Sequence, residues 1–299
     1  MQHVIRAQQF ERDDLERLFR EADACVRGDC RSLQGKILAS LFYEPSTRTR
    51  FSFESAMIRL GGNVLTTENA REFSSAIKGE TLEDSIRVVN GYADAIVLRH
   101  YEAGAAERAA AVSSVPVINA GDGAGQHPTQ ALLDVYTLER ELGRIDGTHI
   151  AMVGDLKHGR TVRSLCYLLG KYRDIRIEFV SPSGLSMGED VRQYLDHHGV
   201  AYAEHEDLDE VFVDVDAVYQ TRIQKERFAD PVEYEKFAGS YVLTPENTES
   251  MRPGAIIMHP LPRVDEIDPG LDHLPRAAYF RQAAYGLYVR MALLSQLLG

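Results

Sequence analysis

The 299-residue chain is long enough for two domains, and its 44% apolar and 26% charged residues are typical of a globular protein. Its formal charge of −12 argues against a nucleic-acid partner, and no run of eighteen apolar residues predicts a membrane span. The polar N-terminus lacks the apolar stretch of a secretory signal, so we expect a cytoplasmic protein.

The N-terminal cysteines give no sign of a metal site. Cys25 and Cys30 lie in CVRGDC, whose four-residue gap differs from the CxxC spacing of zinc and redox sites. We therefore expect Cys25, Cys30 and Cys166 to be free thiols, and we expect no bound metal.

Short apolar runs alternate with helical patterns along the chain, which predicts βα units and parallel sheets. Helices are predicted over residues 53–60, 128–142 and 280–298. Seven strands are predicted, over residues 37–42, 95–98, 115–118, 149–153, 175–180, 217–219 and 255–258.

These elements predict an α/β fold of two domains, each a mainly parallel sheet flanked by helices, with the active site in the cleft between them. The first domain is expected over residues 1–143, with the C-terminal helix of residues 280–299 packing back on it. The second is expected over residues 144–279.

Polar segments follow the predicted strands, where open parallel sheets bind their ligands. They cover residues 46–50, 99, 119–130, 155–160, 221–225 and 259–263. Two sets of loops should therefore serve one site.

The segment STRTR combines a helix start with two cations. Ser46 and Thr47 offer hydroxyl groups and free backbone N–H groups that suit a phosphate, although a plain N-cap is the alternative. Arg48 and Arg50 in the first helical turn oppose the helix macrodipole by about 0.3–1 kcal/mol each, a penalty that a bound dianion would reverse. This pattern favours an anion site.

STRTR after a strand resembles the carbamoyl phosphate motif of the aspartate/ornithine carbamoyltransferase family. The resemblance covers nearly the whole chain, through KGETLEDS, IVLRH, NAGDGAGQHPTQALLD, MVGDLKHGRTVRS, TRIQKER and HPLPRVDEI in the family's order. It implies an enzyme that transfers the carbamoyl group of carbamoyl phosphate to an amino acid, with no cofactor, no metal and no covalent intermediate.

The resemblance also assigns site residues. Thr49, Arg99 and His127 would be catalytic, by stabilising the carbonyl oxygen. Carbamoyl phosphate would be bound by Ser46, Thr47, Arg48, Thr49, Arg99, His127, Gln130, Pro260 and Leu261. Ser74 and Lys78 would reach in from a neighbouring subunit, which implies a homotrimer with shared sites. The amino acid would be bound by Lys78, Arg160, Arg222, Gln224 and Leu261.

The charge of the predicted acceptor site indicates which amino acid it binds. Two arginines would repel the ammonium group of ornithine, and this chain has HPTQ and HPLPR where ornithine-specific relatives typically have HPCQ and HCLPR. Aspartate is therefore favoured. The product would be N-carbamoyl-L-aspartate, formed early in de novo pyrimidine biosynthesis.

Alternatives remain open at this point. They are ornithine as the acceptor, a non-catalytic homologue retained for assembly, and a nucleotide-binding oxidoreductase, although AMVGDLKHGRT lacks GxGxxG. The resemblance also makes a separate zinc-containing regulatory chain a candidate partner.

Overall fold

The computed structural model describes residues 2–70, 79–223, 234–237 and 239–299. The chain divides into two compact units, which are Met1–Leu133 with Ala284–Gly299, and Asp134–Ala283. Both divisions fall inside helices. Three predicted site residues, Ser74, Lys78 and Gln224, lie outside the described residues.

The first unit is built on a four-stranded parallel sheet with the strand order β2-β1-β3-β4. Its strands are β1 (Ile37–Phe42), β2 (Asn63–Glu68), β3 (Ala95–His100) and β4 (Val117–Asp122). Its helices are α1 (Arg12–Val26), α2 (Thr47–Arg59), α3 (Leu82–Val89), α4 (Ala105–Val112), the start of α5 (Pro128–Leu142) and most of α8 (Tyr279–Leu298).

The central strands of this sheet are buried because helices cover them. Ile96 and Leu98 of β3 pack in one apolar cluster with Ile86 of α3 and Ala109 of α4. Thr81 starts α3, where its hydroxyl accepts a hydrogen bond from the Asp84 N–H at 3.2 Å. The sheet is therefore held from the side by short amphipathic helices.

The second unit contains a five-stranded parallel sheet with the order β7-β6-β5-β8-β9. Its strands are β5 (His149–Val153), β6 (Arg176–Val180), β7 (Ala201–His205), β8 (Ala217–Gln220) and β9 (Ile256–Met258). Its helices are the rest of α5, α6 (Arg160–Leu169), α7 (Glu189–His197) and the start of α8. The predicted α/β class with two parallel sheets is confirmed.

The strand order reverses direction between β5 and β8. The chain runs outward from β5 through β6 to β7, then returns to β8 and β9 on the other side of β5. In open α/β sheets this switch point is where ligands bind, because the loops on its two sides part there.

The expectation for the N-terminal cysteines was wrong. A disulfide joins Cys25 to Cys30. Helix α1 ends at Val26, and Gly28 with φ of +88° turns the chain, so the two Cα atoms come within 4.6 Å of each other. Cys166 is a buried free thiol, as expected, and burial raises its pKa.

Among the described helices, none combines the length and the apolar character needed to cross a bilayer.

Candidate active site

Three loops of the first unit start from the same edge of its sheet. Phe42 at the end of β1 lies beside Arg99, and the Tyr43 N–H donates a hydrogen bond to the Arg99 carbonyl at 2.9 Å. His100 at the end of β3 lies beside Asp122 at the end of β4. Because the strands are parallel, the segments that follow them emerge together.

Helix α2 begins directly after this edge, with Ser46 at its N-cap position. Among the described residues, no backbone N–H of α2 donates to the Ser46 side chain, so the plain N-cap is not what is observed. The first turn contains no acidic residue, and Thr49 in that turn is buried. The helix start thus keeps the hydroxyl groups and N–H dipoles that suit an anion.

The two arginines of this turn differ in their surroundings. An Arg50 Nη atom lies 3.0 Å from a Glu68 carboxylate oxygen, and its Nε atom lies 3.8 Å from Glu54. Arg50 is therefore largely neutralised by acids of the same unit. The side chain of Arg48, in contrast, is exposed.

Arg99 is held at the sheet edge by two neighbours. Its side chain is only 14% exposed, one of its Nη atoms donates to the Ala120 carbonyl at 3.2 Å, and its Nε atom lies 3.6 Å from Glu44. These contacts fix the direction of the guanidinium group, so it is preorganised as a donor.

His127 and Gln130 stand at the start of α5. The His127 carbonyl accepts hydrogen bonds from the Gln130 N–H at 3.0 Å and the Ala131 N–H at 3.2 Å. Both the His127 and Gln130 side chains are buried. Both residues belong to the segment that follows β4, the third strand that ends at this edge of the sheet.

Asp122, which the sequence reasoning did not single out, shapes the loop before His127. One of its carboxylate oxygens accepts from the Gln126 N–H at 3.0 Å, and the other accepts from the Gly104 N–H at 2.9 Å. Gly123 has φ of +52°, and a Cβ atom there would lie 2.6 Å from the Tyr101 carbonyl. A buried acid followed by glycine at a strand end is a signal that could have singled out Asp122.

In the second unit, the ends of β5 and β8 approach closely at the switch point. Gly154 has φ of +114°, and a Cβ atom there would lie 2.3 Å from the Thr221 carbonyl oxygen. Thr221 in turn donates to the Val153 carbonyl through its N–H at 2.8 Å and its hydroxyl at 2.9 Å. Arg222 directly follows this contact.

The loop after β5 leads to Arg160, the first residue of α6. Asp155 is fully buried and accepts hydrogen bonds from the His158 N–H at 3.0 Å and from the His158 ring at 3.1 Å. These bonds fold the loop tightly. Arg160 follows β5 and Arg222 follows β8, and these two strands are neighbours in the second sheet.

The loop after β9 carries Pro260 and Leu261 at that edge too. Leu261 has φ of +53°, and its peptide bond to Pro262 is cis. Arg263 then forms a two-point ion pair with Asp272, one contact of which is 2.7 Å, and also donates to the Tyr279 hydroxyl at 3.1 Å. The hydrogen bond from Arg263 and its charge hold the pKa of Asp272 below its ordinary value.

The described residues contain no cluster of three or more histidine, cysteine or carboxylate side chains that would hold a metal ion. The residues at both sheet edges are instead arginines, hydroxyl groups, amides and a buried histidine. Such groups bind phosphate and carboxylate groups and donate hydrogen bonds to carbonyl oxygens.

Comparison with known proteins matches the chain to two family domains in succession. The carbamoyl-P binding domain of aspartate/ornithine carbamoyltransferases matches residues 2–140, and the Asp/Orn binding domain of the same enzymes matches residues 146–297.

Individual relatives match over the full chain. Aspartate carbamoyltransferase 3, chloroplastic, of Pisum sativum is 60% identical over 301 residues, which cover 99% of this chain and 77% of the relative. The aspartate carbamoyltransferase catalytic subunit of Methanocaldococcus jannaschii is 52% identical over 303 residues, which cover 100% of this chain and 98% of the relative.

Solved structures agree. The M. jannaschii catalytic subunit superposes with a TM-score of 0.91 at 51% identity, covering 100% of this chain and 98% of that one. The aspartate transcarbamoylase of Trypanosoma cruzi, in complex with carbamoyl phosphate and aspartate, superposes with a TM-score of 0.94 at 43% identity, covering 100% and 97%. The chain belongs to the aspartate/ornithine carbamoyltransferase family.

Proposed function

We propose that this chain is an aspartate carbamoyltransferase, which moves the carbamoyl group of carbamoyl phosphate to the amino group of L-aspartate. The products are N-carbamoyl-L-aspartate and phosphate, an early step of de novo pyrimidine biosynthesis. The observation that carries the proposal is the full-length likeness to the Trypanosoma cruzi enzyme that holds both substrates.

The first unit binds the donor in this proposal. The start of α2 receives the phosphate through Ser46, Thr47, Arg48 and Thr49, because helix N-terminal N–H groups and a cation both favour a dianion. Gln130 contacts the carbamoyl amide nitrogen. Ser74 and Lys78 of a neighbouring subunit complete the site.

Thr49, Arg99 and His127 stabilise the oxygen that becomes negative when the amine attacks. The support for this role is the burial of Thr49 and His127 and the fixed partners of Arg99, because donors that need no reorganisation stabilise developing charge best. The loss of one such donor typically costs about 2.7–4 kcal/mol of transition-state stabilisation.

The second unit binds the acceptor. Arg160 and Arg222 bind the carboxylates of aspartate, together with Gln224 and the neighbour's Lys78, because guanidinium groups pair with carboxylates through two parallel hydrogen bonds. The carbonyl groups of Pro260 and Leu261 accept from the attacking amine and the carbamoyl amide. The departing phosphate takes up the amine proton, so no dedicated base is required.

The assembly and location belong to the same proposal. We expect a cytoplasmic homotrimer whose sites are shared between subunits. A zinc-containing regulatory chain is a candidate partner, and the name of the Methanocaldococcus jannaschii relative, a catalytic subunit, is compatible with one.

Product analysis tests the proposal directly. Purified chain incubated with carbamoyl phosphate should form N-carbamoyl-L-aspartate from aspartate and no citrulline from ornithine. Arg222→Gln should raise the KM for aspartate strongly, because a carboxylate loses its partner. Arg192→Gln, on α7 and paired with Glu189 and Glu204, is the matched control and should behave like the wild type.

Two results would contradict the proposal. Citrulline as the main product would make ornithine the acceptor. A folded chain that transfers no carbamoyl group to either amino acid would be the non-catalytic homologue.

A further inference from the structure

Leu261 has a backbone conformation that its own side chain disfavours. Among the described residues, three other than glycine have positive φ, which are Asn69, Asp174 and Leu261. Asparagine and aspartate tolerate this left-handed conformation, whereas leucine does so rarely. Such a residue keeps its conformation only when its surroundings impose it, so the contacts around Leu261 need an explanation.

The ring of His259 supplies one of these contacts. The Leu261 N–H lies 2.8 Å from His259 Nδ1, and a backbone N–H can only donate, so Nδ1 is the acceptor. The ring proton therefore sits on Nε2, which lies 2.7 Å from a Glu266 carboxylate oxygen and donates to it. Burial lowers the pKa of His259 despite the neighbouring carboxylate, which favours this neutral form.

Glu266 holds the other side of the same loop. Its second carboxylate oxygen accepts hydrogen bonds from the Val264 N–H at 3.1 Å and the Asp265 N–H at 3.2 Å. Burial acts to raise the pKa of Glu266, but the hydrogen bond from His259 and the backbone N–H groups outweigh it, so the pKa is lowered. An ionised Glu266 therefore fixes the His259 tautomer and closes the loop.

The backbone of His259 is anchored as well. Its N–H donates to the Gln282 side-chain oxygen at 2.8 Å, and the Gln282 amide donates to Asp134 at 2.7 Å. Asp134 also accepts from the Tyr219 hydroxyl at 2.7 Å. All four side chains are buried, so a network of satisfied polar groups joins the loop to α5, α8 and β8.

We infer that His259, oriented by Glu266, is a positioning residue that sets the direction of the Leu261 backbone for the acceptor amine. This inference rests on the proposed function, which gives Leu261 its contact with the substrate. His259 itself touches no substrate in this account. It holds the tight turn in which the Leu261 carbonyl is placed to accept a hydrogen bond from the attacking amine.

Two substitutions at position 259 separate positioning from stability. His259→Gln keeps a donor near the Nε2 position for Glu266 but loses the acceptor for Leu261. His259→Asn keeps an acceptor near the Nδ1 position but leaves Glu266 buried without its donor, which destabilises the fold. We expect the Gln variant to be the more stable of the two and the less active.

The kinetic readout is specific. In His259→Gln we expect kcat to fall about tenfold to a hundredfold, because a small misplacement of a contacting group is costly in rate. The KM for aspartate should rise. Inhibition by inorganic phosphate should not change, because the groups proposed to bind phosphate lie at the start of α2 and on the neighbouring subunit, not on the Leu261 turn. His259→Asn should recover much of kcat.

His149→Gln is the matched control. His149 Nε2 also lies 2.7 Å from a buried glutamate, Glu178, but at the first residue of β5, the opposite end of the strand from the binding loops. Glutamine cannot reproduce the contact of His149 Nδ1 with the Asp214 carbonyl at 3.1 Å, so we expect this variant to lose thermal stability and to keep the kcat and KM of the wild type.

The outcomes are distinguishable. Wild-type kcat and KM in His259→Gln, or activity that follows stability in both variants, would overturn the positioning role while the proposed function stands. A wild-type chain that makes no N-carbamoyl-L-aspartate would overturn the proposed function and this inference with it.

Discussion

Ser46 occupies the N-cap position of α2 and does not cap it. Its backbone is extended, with φ of −161°, and among the described residues no helix N–H donates to its side chain. Thr81 at the start of α3 shows the ordinary arrangement, with its hydroxyl accepting from Asp84. Thr81 therefore stabilises the start of its helix, whereas the role proposed for the Ser46 hydroxyl is in ligand binding.

Substitution with alanine should reveal this difference. Ser46→Ala should raise the KM for carbamoyl phosphate and leave the free energy of unfolding almost unchanged, because no cap bond is lost. Thr81→Ala should lower the free energy of unfolding by about 0.5–2 kcal/mol, the usual value of a cap. Urea unfolding and initial rates measure the two effects, and an equal loss of stability in both variants would contradict the assignment.

At this scale the sequence predicts residue type and position better than contacts. Thr49 and His127 are buried near strand ends, and the roles assigned to them stay predictions. The pairing of Arg50 with Glu68 could not be predicted, because Glu68 belongs to a strand that the sequence did not reveal. The disulfide was missed because the CxxC spacing identifies zinc and redox sites. It does not show that the turn at Gly28 brings Cys25 and Cys30 together.

Three strands of the second sheet are joined by a single carboxylate. Glu178 on β6 accepts hydrogen bonds from His149 on β5 at 2.7 Å and from His205 on β7 at 2.8 Å, and Arg176 lies 2.8 Å away. Burial acts to raise the pKa of Glu178, but the two histidines and Arg176 lower it overall. Burial acts to lower the pKa of His205, but Glu210 and Glu178 raise it overall.

These shifts predict how stability depends on pH. The pKa of His205 is raised above 6.5, so its contribution is complete below pH 6.5 and is lost as the pH rises through the folded pKa. The pKa of Glu178 is lowered below 4.5, so its contribution is present above pH 4.5 and is lost as the pH falls through the folded pKa. The cluster should stabilise the fold most between those two values.

His205→Gln isolates this effect from other titrations. The difference in free energy of unfolding between wild type and variant should be larger at about pH 5.5 than at about pH 8.5, because His205 loses its charge in between. Urea unfolding at both values measures it. A difference that is the same at both pH values would show that the charge on His205 does not stabilise the sheet.

The apolar strands were predicted, whereas the polar edge strands and the helices α1, α3, α4, α6 and α7 were not. The predicted strands at residues 37–42 and 149–153 agree with β1 and β5, and the helix at 128–142 agrees with α5. Strands β2 and β7 were missed. Both lie at sheet edges and contain no buried residue, so their sequences lack the apolar run by which a strand is recognised.

The whole molecule is proposed to work as a trimer with shared sites, and mixing of inactive variants tests this. Arg48→Ala and Lys78→Ala chains should each be nearly inactive alone. Mixed trimers should regain activity, because some interfaces then bring an intact Arg48 to an intact Lys78. Activity after dissociation and reassembly of the mixture is the measurement.

A second mixture provides the control. Arg48→Ala with Thr49→Ala should regain nothing, because both changes lie on the same side of each shared site. Recovery in neither mixture would mean that each site is built within one chain. Equal recovery in both mixtures would mean that the recovered activity does not depend on bringing Arg48 of one chain to Lys78 of another, and it would also contradict the shared site.

The close approach at Gly154 has a consequence for how acceptor choice can evolve. The loops that carry Arg160 and Arg222 diverge from one point where a methyl group would overlap the Thr221 carbonyl. Substitutions in either loop can thus change the side chains proposed to contact the acceptor amino acid. Gly154 itself has no room for a side chain. We therefore expect enzymes of this fold with another acceptor to differ in the residues of these two loops and to keep the glycine.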